Sequence, residues 1–202
     1  MKTDREKFTE SSFSPEIQGK LRLYRRVLIS YIDVQQARAI SSYILKEDLH
    51  ANFPQQNRIL LQALNCAMVI SYTRPFSGND QGANPKISDL PGRFIRIFSQ
   101  DEKEVHGIVL RDRNTVLAHS DSQAWEMEPK IIRRGGNDLL APLHNNVHAP
   151  LKKEIVVLFS KMCEKLMAAL FSERDNLELV LKPHLRVIDM DTLSTEQIEK
   201  EL

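Results

Sequence analysis

The chain has 202 residues, 42% of them hydrophobic and 27% charged, which suits one well-filled core and is too apolar for wholesale disorder. Lys and Arg number 28 against 27 Asp and Glu, a net charge of +1. That balance excludes a protein that coats nucleic acid through a strongly basic surface, while leaving room for a local phosphate site. Cys66 and Cys163 lie in apolar helical patterns, without CxxC spacing, and read as reduced core residues. Residues 1–10 are polar and carry no apolar signal-peptide core, and polar residues interrupt every apolar stretch, so no membrane span and a cytoplasmic location are expected.

Glycine and proline cluster at 75–92 and 135–150, and helical periodicity fills most of the rest. Pro15 opens a helix expected to run to about Ile32, with Leu21, Tyr24, Val27 and Leu28 as apolar positions. Asp33 reads as the N-cap of a second helix, to about Lys46, with Ala37, Ile40, Tyr43 and Ile44 on one face. A third helix, from near Pro54 to about Thr73, is nearly apolar all round and therefore reads as the central buried helix. Ser99 with Glu102 three residues on is a capping-box signature for a fourth helix ending at about His119. Ala124–Arg134 is open between a short strand and extended coil. The last long helix is expected from near Pro150 to around Asn176, with Val156, Phe159, Met162 and Leu166 facing the core. Together these predict an all-α fold, an up-and-down bundle of four to five long helices over residues 15–182. A flexible N-terminus at 1–14 and a peripheral C-terminal tail at 183–202 complete the expected organisation.

The end of the fourth helix reads LRDRNTVLAHSD over Leu110–Asp121. Asp112 and His119, seven residues apart, are nearly eclipsed on an ideal helix and extend the stripe of Val105, Val109 and Val116. Arg113 lies about 120° from His119, so the two converge on one substrate only through the length of the arginine, fraying of the helix, or a second subunit. An Arg followed directly by a polar residue, with five residues in all between Arg113 and His119, resembles the motif of the HEPN superfamily. The phrase RDRNTVLAHSD is similar to the form in abortive-infection-type members, and Tyr72-Thr73-Arg74-Pro75-Phe76 adds to the resemblance.

The resemblance implies a metal-independent endoribonuclease, with no cofactor, acting on RNA within a toxin–antitoxin or phage-defence system. Two protomers would bring their motifs together in a homodimer, and an antitoxin or another protein partner is expected. It implies His119 as general base or acid, Arg113 as the phosphate clamp, Asn114 orienting substrate or His119, and Asp112 supporting a histidine tautomer. Arg74 and Tyr72 would help to bind substrate. RNA supplies its own nucleophile, the 2′-hydroxyl, so such a site needs only a base, an acid and a cation. The competing expectation is a non-catalytic helical interaction module binding a protein partner, suggested by the neutral charge balance and 6% aromatic content.

Other constellations read as structural. His144 and His148 have the i, i+4 spacing of helical metal ligands, but Pro142 and Pro150 flank them and no further ligand follows, so a surface loop is expected. His50 and His106 read as solvent-facing or capping residues. Arg22, Arg25 and Arg26 form a basic patch on the first helix, which reads as a solvated helix side before an RNA-facing one.

Overall fold

The computed structural model describes residues 13–51, 55–77, 89–114, 128–143 and 149–185. Among these are four long helices, α1 (Pro15–Lys46), α2 (Gln55–Thr73), α3 (Gln100–Asp112) and α4 (Lys153–Leu181), and a hairpin of β1 (Glu128–Arg134) and β2 (Asn137–Leu143).

Helix α1 starts where local chemistry dictates: the Ser14 hydroxyl accepts the Ile17 N–H, Pro15 stands at the first helical position and Glu16 complements the dipole. It then runs 32 residues without a break, which corrects the expected division at Asp33. The Asp33 carboxylate is buried in mid-helix and accepts from Arg74 Nη1 at 3.2 Å instead of capping a new helix. Neither glycine nor proline falls between Lys20 and Ala51 to interrupt the run. A Schellman motif ends α1: Asp48 takes φ 44°, the Leu49 N–H reaches the Ile44 carbonyl at 3.2 Å, and the Asp48 N–H reaches that of Leu45 at 3.2 Å.

The ion pairs give the helix directions. Arg38 bonds Glu164 and Asp48 bonds Lys153, so α4 runs antiparallel to α1 along most of its length. Glu102 bonds Lys165 while Arg93, ahead of α3, bonds Glu173, so α3 is antiparallel to α4. A short connection returns α2 beside α1, and α3 packs on both α2 and α4. The result is an up-down-up-down bundle, the fold class expected. Its core holds Val34, Ile44, Leu61, Met68, Phe159, Met162, Leu166 and Leu170.

α3 carries both halves of the expected capping box: Ser99 N–H to Glu102 Oε2 at 2.7 Å and Glu102 N–H to the Ser99 hydroxyl at 3.3 Å. α4 extends five residues beyond the expected Asn176, to Leu181, because Leu177 and Leu181 continue its buried stripe. The extended segment near Arg134 proves to be an antiparallel hairpin, with Ile131 opposite Leu140 and Ile132 opposite Leu139. Gly135 and Gly136, at φ 60° and 83°, make the two-residue turn that strand twist favours. The third expected helix is not fully buried, as α2 leaves Ile59 and Leu60 exposed. The expected tail beyond residue 185, His144 and His148, and residues 1–12 of the N-terminus expected to be flexible lie outside the described residues.

Candidate functional site

The motif begins where α3 ends. After Asp112 the backbone widens into a π-type turn at Arg113 and Asn114, a local geometry that recurs at functional sites. The Arg113 N–H still reaches the carbonyls of Leu110 and Val109, so the turn remains tied to the helix. Arg113 Nη1 donates to Asn114 Oδ1 at 2.9 Å. Asn114 is exposed. A guanidinium and an amide side by side are the donor types that suit a phosphate or carboxylate. Asp112 is half-buried. Desolvation pushes its carboxyl above the ordinary aspartate range, partly offset by the Arg111 guanidinium. His119 lies outside the described residues.

The other two predicted site residues are elsewhere. Tyr72 is fully buried at the centre of the bundle, which corrects its expected role in holding substrate: its hydroxyl meets His106 Nδ1 at 2.8 Å and lies 3.7 Å from Met162 Sδ. Arg74 keeps a half-exposed guanidinium, committed to Asp33. Because α2 and α3 are antiparallel and Tyr72 sits opposite His106, Arg113 is level with Asn65. Arg74 is nine residues further along α2, roughly 13 Å down the bundle axis. Arg113 and Asn114 are therefore brought together, while Arg74 and Tyr72 are not part of the same cluster.

Comparison with family models, with curated proteins and with solved structures returned no match. The chemistry rests on this chain's own residues.

Sequence reasoning missed His106, expected at the surface and found buried. Its ring packs edge-on to Tyr72 and Phe76, with centroids at 5.8 and 4.9 Å, and tilts against Phe98 at 6.0 Å. Desolvation holds its pKa below the ordinary histidine value. The signal was available: Glu102, Val105, His106 and Val109 follow the i, i+3, i+4, i+7 spacing of a buried stripe, and all four are buried. His50 is also not solvent-facing, since its Nε2 lies 3.0 Å from the Leu151 carbonyl in a half-buried position. Arg26 is buried and leaves the expected basic patch of α1. Burial pushes the Cys163 thiol up, which keeps it protonated and unreactive. Among the described residues, no group of three His, Cys, Asp or Glu side chains is placed to hold a metal ion, and no helix is long and apolar enough to cross a membrane.

Proposed function

We propose that this chain is a metal-independent endoribonuclease of the HEPN type, working as a cytoplasmic homodimer in a toxin–antitoxin or phage-defence setting. The observation that carries the reading is the Arg113–Asn114 pair in the π-type turn ending α3 of an up-down bundle. His119 follows five residues on from Asn114. In this reading, Arg113 clamps the scissile phosphate and Asn114 donates a further bond to it. His119 takes the proton of the 2′-hydroxyl, that oxygen attacks phosphorus, and the 5′-oxygen leaves with a proton from the partner protomer's copy of the same residue. The products are a 2′,3′-cyclic phosphate and a 5′-hydroxyl.

The test is cleavage of labelled total RNA in EDTA by the wild type and by Arg113→Ala, Asn114→Ala and His119→Ala. Cyclic-phosphate ends formed by the wild type, with loss of roughly 100-fold or more for Arg113→Ala and His119→Ala, are expected. No cleavage by the wild type, or equal cleavage by all four, refutes the reading. A specific observation favours a second reading, a non-catalytic helical module that binds a protein partner: the hairpin presents Ile131 and Leu140 on one face, 71% and 74% exposed, and Ile132 and Leu139 on the other. Refuted nuclease activity would leave that reading standing.

A further inference from the structure

α3 is the shortest of the four long helices, and it buries little apolar surface. Its buried side chains are Glu102, Val105, His106 and Val109, so only two of the four are apolar. α4 buries eight, none of them charged. Polar latches therefore hold α3 in place: Glu102 to Lys165 near its start and His106 to Tyr72 in its middle. An element seated by few apolar contacts opens more readily than the bundle it leans on. Val109 is the last buried residue of α3, and Arg113 and Asn114 stand a turn further on.

We propose that α3 is a pH-released element: protonation of His106 in mildly acid solution undocks α3, and with it the Arg113–Asn114 pair, while α1 and α4 stay packed. The surroundings of the imidazole carry the inference. Three aromatic rings enclose it, with centroids at 4.9 Å for Phe76, 5.8 Å for Tyr72 and 6.0 Å for Phe98. The Tyr72 hydroxyl can accept from a protonated Nδ1 and turn its own proton to Met162 Sδ, so the hydrogen bond survives protonation. The charge has no such answer among the described residues. α2 offers the Tyr72 phenol and α4 the Cys163 thiol beside it, both kept neutral by burial. The turn Arg74–Phe76 offers a phenyl ring, and its arginine is paired with Asp33 of α1. The segment ahead of α3 offers only Phe98. On α3 itself, Glu102 lies one turn before His106, and its carboxylate is held by Lys165 and the Ser99 N–H. A cation in this setting is disfavoured, and a released α3 lets water hydrate it. Desolvation accordingly holds the docked imidazole below the ordinary histidine pKa. Docking is thus intact above about pH 6.5 and weakens as the pH falls through and below that value. The release is argued from the core alone, and only its meaning as control of RNA cleavage rests on the nuclease reading.

Hydrogen–deuterium exchange on the full chain at about pH 7.5 and about pH 5.5, corrected for the intrinsic pH dependence of amide exchange, tests it. The amides of α3 should be less protected than the slowest amides of α1 and α4 at both pH values. Their protection should fall by up to about 10-fold at the lower pH, one unit below the ordinary histidine pKa. The chain has 6 histidines, so a substitution assigns the effect. In His106→Asn the side-chain amide takes the place of Nδ1 beside Tyr72 but does not titrate. His106→Leu removes the titration and the hydrogen bond together. In both variants the fall in α3 should vanish. An α3 as strongly protected as α1 and α4, no fall in the wild type, or an undiminished fall in both variants overturns the inference. RNA cleavage measured in parallel keeps the two readings apart. A pH-released α3 with no cleavage by the wild type at either pH upholds the release and refutes the nuclease. Cleavage by a wild type whose α3 is indifferent to pH does the reverse.

Discussion

Replacing Tyr72 by Phe removes one oxygen from the middle of the bundle. The surroundings give the magnitude. Tyr72 and His106 are both buried, with Oη and Nδ1 2.8 Å apart. Two proton arrangements satisfy this geometry. Either the hydroxyl donates to Nδ1, or Nδ1–H donates to the hydroxyl, which then points its own proton at Met162 Sδ, 3.7 Å away. In both, Tyr72→Phe leaves the imidazole nitrogen unpaired where water cannot replace the bond, at a cost of about 1–3 kcal/mol. At about 2–4 °C per kcal/mol for a chain of this size, a loss of 2 kcal/mol lowers the melting temperature by about 4–8 °C. His106→Leu alone strands the tyrosine hydroxyl and costs a similar amount. The double variant removes both polar partners and should fall short of the sum of the single losses by about 1–2 kcal/mol. Because burial depresses the folded-state pKa of His106, its neutral form is required by the fold. Stability from this group is fully present above the ordinary histidine pKa. It declines as pH falls below about 6.5, by at most about 1.4 kcal/mol per pH unit, until the folded-state pKa is passed. The Glu102 carboxyl, held below the ordinary glutamate range, stays ionised across that window, so the decline should vanish in His106→Leu. Urea denaturation from pH 5 to 8, followed by circular dichroism, measures all four proteins. Additive losses, or an unchanged pH slope in His106→Leu, would refute the reasoning.

Glu102→Ala removes half of the capping box of α3 and the partner of Lys165, and should cost about 1–3 kcal/mol at pH 7 by thermal melting. Desolvation would raise the Glu102 pKa, but the bonds from Lys165 and Ser99 outweigh it and hold the group below the ordinary glutamate range. Its contribution is therefore present above about pH 4.5 and lost as pH falls, so the deficit of the variant should shrink between pH 7 and pH 4. Valine at Gly135 and Gly136 together forces two positive φ values on β-branched residues, roughly 1–3 kcal/mol each, and should open the hairpin. The hairpin does not pack extensively on any helix among the described residues, so proteolysis within 128–143 should quicken while the melting temperature of the bundle holds.

What was legible in the sequence was local. Ser14-Pro15 starts α1 and Ser99 with Glu102 starts α3 because a cap is satisfied by backbone groups within three residues of it. The end of α3 was not legible: the helix was expected to run to about His119, but it ends at Asp112, which puts Arg113 and Asn114 at its end instead of within its last turns. What was not legible depended on partners far along the chain. Asp33 has the right chemistry for an N-cap, yet Arg74, 41 residues later, takes its carboxylate, and α1 runs through. α2 looked central because it is apolar all round, but apolarity says only that a face is covered, not by what. His106 looked like a surface residue because its partners, Tyr72, Phe76 and Phe98, are invisible to a local reading. The hairpin was hidden because Ile131-Ile132 and Leu139-Leu140 lack the alternation of a half-buried strand.

The same long-range contacts set where the candidate site stands. α3 is only 13 residues long, clamped at its start by Glu102 to Lys165 and at its middle by His106 to Tyr72. Arg113 is seven residues beyond that second clamp, about 10 Å along the axis. Tyr72, expected to touch substrate, thus acts at a distance: it fixes the helix from which Arg113 and Asn114 project. A residue that binds substrate and one that positions another are separable in kinetics. If the proposed nuclease is active, Tyr72→Phe should lower kcat through a displaced Arg113, and activity should recover in the double variant with His106→Leu as α3 is repacked. A rise in KM alone, unchanged by that second substitution, would return Tyr72 to the substrate and contradict its place in the core.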